Sequence, residues 1–345
     1  MSIHTSSAPA RRRTCLRMAA IAAVAAASTA LAACSTGSSG GGAGGGGKSS
    51  GKIKVGAVMF ARDIEYWQLI EAGLRAGAKK EGVPIDVEVS SRNLSTEASL
   101  IDTFHTQGDN LLVISPYDAK ASIATLKKAQ NDGMAVMQYN TQVDDPEFKY
   151  FVGVDNQQLG AADGKALVSY VNSKLDGKAT VAVLAGDTEP GGTDRKKGFL
   201  SVLKGHPGIK VVTTVQAVGS PGDGANAFDT ALQAHPDVDV VWAWNGSALQ
   251  GSAVSAQKSH RNVKIFGVDM SSQVAGIMQK ASSPVVAVAD QHAYNVGYQA
   301  VLNGVALARG QSAKVSTGAS LKPVVYESSD PAGVKQYLTE LHQAK

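Results

Sequence analysis

From Ile53 onward the chain alternates short apolar runs with longer stretches in which apolar positions recur every three or four residues. The short runs predict strands at Lys54–Phe60, Pro84–Ser90, Asn110–Ser115, Ala135–Tyr139 and Tyr150–Val154. Five more follow at Thr180–Leu184, Lys210–Gln216, Val238–Trp244, Lys264–Val268 and Val285–Ala289. Leu111-Leu112-Val113-Ile114 and Val240-Val241-Trp242 are apolar without alternation, as strands buried on both faces of a parallel sheet are. Between the runs the spacing is helical, as with Trp67, Ile70 and Leu74, and again with Ile123, Leu126 and Ala129. Strand and helix alternate throughout, which predicts an α/β fold with parallel sheets and helices on both faces. The ten strands divide into two sheets, one unit from Ile53 to about Val154 and the second from Asp155 to about Asp290.

In open α/β sheets, ligands bind at the carboxyl ends of the strands. Here those ends carry Phe60-Ala61-Arg62-Asp63, Asn140-Thr141, Asp187-Thr188, Asn245 and Asp269. All offer hydrogen-bonding groups, and none offers a pair of histidines or a Ser-His-Asp set. Asp187-Thr188-Glu189-Pro190-Gly191-Gly192-Thr193 is a Gly-rich turn before a helix, but Gly192 stands where a phosphate-binding loop needs lysine. The seven histidines are scattered, without metal-ligand spacing. A binding function is expected rather than catalysis, with no cofactor and no metal.

The amino terminus changes the reading of charge. Arg11, Arg12, Arg13 and Arg17 precede an uncharged, Ala-rich segment from Met18 to Ala30, the form of an export signal. Leu31-Ala32-Ala33-Cys34 follows and resembles the lipobox of bacterial lipoproteins. The resemblance implies removal of residues 1–33, acylation of Cys34, and a body held at the outer face of the cytoplasmic membrane. Arg12-Arg13-Thr14-Cys15-Leu16-Arg17 is similar to a twin-arginine signal, with Cys where an aromatic residue is usual, so the export route stays open. The whole chain has 33 Lys plus Arg and 29 Asp plus Glu; without those four arginines, 29 of each remain. The basic balance therefore belongs to the signal and gives no support to nucleic-acid binding. Cys15 leaves with the signal and Cys34 is blocked by lipid, so no thiol is left for a disulfide, metal or nucleophile. Residues 34–51 are almost all Gly and Ser, a tether whose span as a flexible coil is about 20–25 Å.

Eight further stretches, in order, resemble the type I periplasmic sugar-binding proteins of the ribose, xylose and galactose group. They are Glu65-Tyr66-Trp67-Gln68, Leu112-Val113-Ile114-Ser115-Pro116-Tyr117-Asp118, Ala135-Val136-Met137-Gln138-Tyr139-Asn140, and Val154-Asp155-Asn156 with Gly160. The second unit adds Arg195-Lys196-Lys197-Gly198-Phe199, Ala234-His235-Pro236-Asp237-Val238 leading to Trp244-Asn245-Gly246, Phe266-Gly267-Val268-Asp269, and Gln291 with Gly297. The resemblance covers residues 52–328 and implies two Rossmann-like lobes joined by a three-strand hinge and closing on one sugar. It assigns residues 52–154 and 292–320 to an N-terminal lobe, and 155–291 and 321–345 to a C-terminal lobe. It also implies a monomer that delivers a sugar or polyol to the membrane permease of an ABC importer.

A sugar has apolar ring faces and an edge of hydroxyls, so its site needs flat aromatic surface and planar polar groups. Tyr66 and Trp67 supply the first, although Trp67 also has the spacing of a core residue. Arg195 is a fork of donors, and Asn140, Asn245, Asp269 and Gln291 follow buried strands, where polar groups must find partners. Asn and Asp there are equally suited to turns and helix caps. The chain departs from the family in having Asn140-Thr141 in place of an Asp-Arg pair and no aromatic near Gly219-Ser220. Trp244 or Tyr139 is the expected substitute for that aromatic, and Asp63 or Glu65 for an Asn of the first turn. Pentose, hexose and sugar alcohol all stay open. A repressor with the same body would need a helix-turn-helix where the signal and tether stand, whereas delivery to a membrane sensor is not distinguished from transport.

Overall fold

The computed structural model describes residues 52–344 except 190 and 260; the signal, Cys34 and the Gly/Ser tether lie outside the described residues. The first half runs β1 (Val55–Met59), α1 (Glu65–Glu81), β2 (Ile85–Val89), α2 (Leu94–Thr106), β3 (Leu111–Ile114), α3 (Ile123–Asn131), β4 (Ala135–Tyr139) and β5 (Phe151–Val152). It continues with α4 (Asn156–Lys174), β6 (Ala179–Ala185), α5 (Gly192–Leu203), β7 (Ile209–Gln216), α6 (Pro221–Ala234), β8 (Val240–Ala243) and α7 (Gly246–Ser259). The last elements are β9 (Lys264–Val268), α8 (Ser272–Met278), β10 (Val285–Asp290), α9 (Ala293–Ala308), β11 (Val324–Glu327) and α10 (Pro331–Ala344). Among the described residues, no helix is long and apolar enough to cross a membrane.

The strands form two sheets, ordered β2-β1-β3-β4-β5 and β11-β10-β9-β8-β6-β7. The unbroken apolar runs follow from this layering. In β1, Val55, Ala57 and Met59 join the core with Ile70 and Leu74 of α1, while Val58 turns to Ile101, Phe104 and Leu126 on the opposite face. With helices on both sides, neither set of alternating positions can be polar. Helix starts obey local chemistry: Asn93 caps α2 through Thr96 N–H at 2.9 Å, and Ser220 and Asp223 form a reciprocal capping box at α6, with proline in its first turn.

All ten expected strands are present, and an eleventh is added. β11 pairs antiparallel with β10, so the second sheet is parallel except at this edge. β5 is shorter than its apolar run because Tyr150 and Val154 leave the sheet to bridge Thr317 and Leu321. There the chain crosses from the first sheet towards the second beside a later strand crossing in the same region, with Leu321 N–H donating to Gly153 O at 3.0 Å. A third passage, at Gln291 and His292, leads from β10 into α9, which packs on α1 and β4. The carboxyl ends of both sheets therefore border one cleft.

Candidate ligand-binding site

That cleft holds a cavity of about 680 Å³ lined by Tyr66, Trp67, Asn140, Arg195, Asn245, Asp269 and Gln291. All seven side chains singled out in the sequence thus come together, and the two sheets contribute unlike walls.

The first wall carries a cluster of rings, beside Arg92, Asp118, Asn140, Thr141 and Gln142. Phe60 directly follows β1, Tyr66 and Trp67 open α1, and Tyr117 lies in the loop after β3. Phe60 stacks on Tyr117 with centroids 6.1 Å apart and leans on Trp67 at 5.7 Å; Tyr66 meets Trp67 edge-on at 5.1 Å. Trp67 packs into the core and also lines the cavity. The Tyr66 hydroxyl donates to Asn140 Oδ1 at 2.8 Å. Burial, followed by the negative charge of Asp269, raises the Tyr66 phenol well above its usual range, so it stays a donor. Asn140 adopts a left-handed backbone at φ 61°, which Asn tolerates better than most residues. Its amide nitrogen reaches Ser115 Oγ at 3.2 Å and Thr141 Oγ1 at 3.4 Å, so an uncharged network occupies the place of the family's Asp-Arg pair.

The second wall is polar. Arg195 lies in the first turn of α5, and the close packing of α5 on α4 puts it there. A Cβ at Gly160 would overlap the Arg195 carbonyl oxygen, and one at Gly198 would overlap that of Gln157. The guanidinium is nearly buried: Nε donates to Asn156 Oδ1 at 2.9 Å, and Nη1 to Trp244 O at 3.2 Å and Asp269 Oδ2 at 3.3 Å. It also lies 5.8 Å from the Trp244 ring centre. Gln291 donates to the other Asp269 oxygen at 2.6 Å. Asn245 Oδ1 accepts from Ala248 N–H at 2.9 Å, so this residue caps α7 and still lines the cavity with its amide. Behind the wall, Asp290 accepts from Met270 N–H at 2.8 Å and His292 N–H at 2.7 Å. Burial and the neighbouring Asp269 charge push Asp290 up to about 6.

After these internal bonds, the wall keeps one Arg195 terminal nitrogen, the amide nitrogens of Asn156 and Asn245, and the Gln291 carbonyl without partners among the described residues. Three groups of donors and an acceptor face rings across a cleft, which suits a molecule with an apolar face and a hydroxylated edge. Trp244 stands where a substitute aromatic was expected. Tyr139 does not, because it is fully buried and donates to Val58 O at 3.0 Å. Neither Asp63 nor Glu65 lines the cavity: Asp63 pairs with Arg92 at 2.8 Å and Glu65 bonds to Ser272. Phe60 and Thr141, named only among the strand-end groups, also line it, as do Tyr117 and Asn156, which were not proposed as site residues. Tyr117 and Asn156 sit inside stretches that carried the family resemblance, and their places at a strand end and a crossover were the available signal. Among the described residues, no cluster of three or more His, Cys, Asp or Glu could hold a metal ion.

A family model described as periplasmic binding protein domain matches residues 55–312. The D-xylose-binding periplasmic protein of Escherichia coli K12 is 27% identical over 273 residues, covering 77% of this chain and 81% of that protein. The D-ribose/D-allose-binding protein of Pseudomonas aeruginosa is 25% identical, with 76% and 84% covered. Among solved structures, a carbohydrate transporter solute-binding protein from Agrobacterium radiobacter in complex with D-arabinose superposes with a TM-score of 0.75 at 22% identity, over 84% of this chain and 99% of that one.

Proposed function

The chain belongs to the periplasmic binding protein family, and from that premise we propose that it is an extracytoplasmic receptor for a monosaccharide or sugar alcohol. The sugar is held between two lobes, residues 52–154 with 292–320 and residues 155–291 with 321–345, and is handed unchanged to the permease of an ABC importer. The protein acts as a monomer, without a cofactor, tied to the membrane by an acylated Cys34. The observation that carries this reading is the pairing of walls. Phe60, Tyr66, Trp67 and Tyr117 offer ring surface, and Asn156, Arg195, Asn245 and Gln291 offer planar hydrogen-bonding groups across from it. The buried cation is already matched by Asp269, which favours an uncharged ligand over an acid sugar. The relatives named for D-xylose and for D-ribose and D-allose support the same class.

The test is a thermal-shift screen against pentoses, hexoses, polyols, nucleosides and sugar acids. A sugar present at 100 times its dissociation constant adds ~2.7 kcal/mol to native stability, a plain rise in melting temperature. A rise with one neutral sugar or polyol names the ligand. Rises confined to nucleosides or sugar acids would overturn the assignment.

A further inference from the structure

We propose that Glu65 is a positioning residue that clasps the two lobes together at the edge of the cavity, through bonds from its carboxylate to Ser272 and Tyr337. Glu65 opens α1, beside the first sheet. Its Oε1 accepts from Ser272 N–H at 2.7 Å, and its Oε2 from the Ser272 hydroxyl at 2.6 Å. The single proton of the Tyr337 hydroxyl is shared between Oε1 at 3.2 Å and Met270 O at 3.1 Å. Ser272 starts α8 and Tyr337 lies on α10, and these two helices pack on each other and on strands of the second sheet. The partners are 207 and 272 residues from Glu65 in sequence, and α10 also packs on α1, so the bonds bridge elements assigned to the two lobes.

The neighbours of the clasp connect it to the site. Glu65 immediately precedes Tyr66 and Trp67 of the aromatic wall, and Met270 immediately follows Asp269 of the polar wall. Tyr337 is buried, and burial raises its phenol far above the ordinary range, so it keeps its proton as a donor to the carboxylate. Bonds to a carboxylate acceptor are the strong class of hydrogen bond, and separating the lobes would break the two from Ser272 together with the shared one from Tyr337. The clasp therefore biases the ligand-free protein towards the closed arrangement. A ligand then spends less of its binding energy on closure, and its apparent affinity rises with the fraction already closed. This consequence rests on the receptor reading, but the clasp itself can be measured without any ligand.

The experiment uses the full chain with Cys15→Ser and Cys34→Ser, spin-labelled through Lys120→Cys and Lys197→Cys. Both are exposed positions, one in the loop after β3 and one on α5 across the cleft. Electron–electron distance measurements in the absence of sugar are expected to give a short separation in the parent. Glu65→Ala is expected to lower that closed population at least fivefold, and Tyr337→Phe to give an intermediate shift while keeping its ring against Tyr326. Should Glu65→Ala fail to fold, Ser272→Ala and Tyr337→Phe carry the test. Identical distributions in parent and variants overturn the clasp, as does a parent that is already wide open. Adding D-xylose, D-ribose, D-allose or xylitol to the parent addresses the receptor reading separately. Tighter distances there, with variants that match the parent when sugar-free, would retain the receptor and reject the clasp.

Discussion

Replacing Arg195 by alanine acts on stability and on binding by separate routes, and the structure gives a magnitude to each. Arg195 is 7% exposed and its guanidinium is matched by Asp269, whose other oxygen is taken by Gln291. Removing it strands a buried carboxylate, and breaking such a pair from one side costs about 3–5 kcal/mol. Total stability for a protein of this kind is about 5–15 kcal/mol, so the variant is expected to fold and to melt earlier. For binding, the relevant loss is the bond from the uncommitted terminal nitrogen. A hydrogen bond to a charged group contributes about 1.5–3 kcal/mol, which corresponds to about a 10- to 150-fold weaker dissociation constant.

The double variant Arg195→Ala with Asp269→Asn separates the two routes. Neutralising the carboxylate removes the stranded charge, so part of the melting temperature should return. Affinity should stay low, because the cationic donor is still missing. Differential scanning calorimetry supplies the first quantity. Isothermal titration with D-xylose, D-ribose, D-allose and xylitol supplies the second. A folded Arg195→Ala protein that binds as tightly as the parent would remove Arg195 from the site. A double variant no more stable than the single one would refute the account of Asp269.

Two other perturbations test the support behind the walls. Gly198→Ala places a methyl group on the Gln157 carbonyl, so it should cost about 1–3 kcal/mol and weaken sugar binding by displacing Arg195; Gly276→Ala in α8, where nothing lies within 4 Å of the added carbon, is the control and should not destabilise. Asp290 is raised to about 6 in the native state by burial and Asp269, against about 4 in an unfolded chain. The native state therefore binds this proton more tightly, and the group removes about 3 kcal/mol of stability as pH climbs from about 4 to 6. Urea unfolding across that window should show a smaller fall for Asp290→Asn than for the parent, and equal slopes would rule Asp290 out as their source.

Most of the fold was legible because its signals are local. Leu111 to Ile114 and Val240 to Trp242 read as doubly covered strands, and both are interior strands of their sheets. β11 was missed because it is an edge strand that follows Pro323 directly, and a proline beside a short apolar run weakens its reading as a strand. Asn140, Asn245, Asp269 and Gln291 stand at strand ends that the chain order itself marks, whereas Tyr66, Trp67 and Arg195 lie on helices and were reached through the family resemblance. What escaped were properties of pairs distant in sequence. Nothing local separates Tyr139, whose hydroxyl is spent on Val58 O, from Tyr117, which faces the cavity. Glu65 shows the same limit from the other side. Its sequence position suggested a ligand contact, yet its carboxylate is taken by Ser272 and Tyr337, more than 200 residues away. A polar residue at a strand end can serve a ligand, a helix cap or the opposite lobe, and composition does not distinguish these. Counting which of its atoms remain without partners does. By that count Arg195, Asn156, Asn245 and Gln291 each keep a group for the cavity, while Asn140 spends both ends of its amide on Tyr66, Ser115 and Thr141. On the proposed receptor reading, these four groups place a polar grip on the second wall opposite the rings of the first, which also presents Thr141 and Gln142.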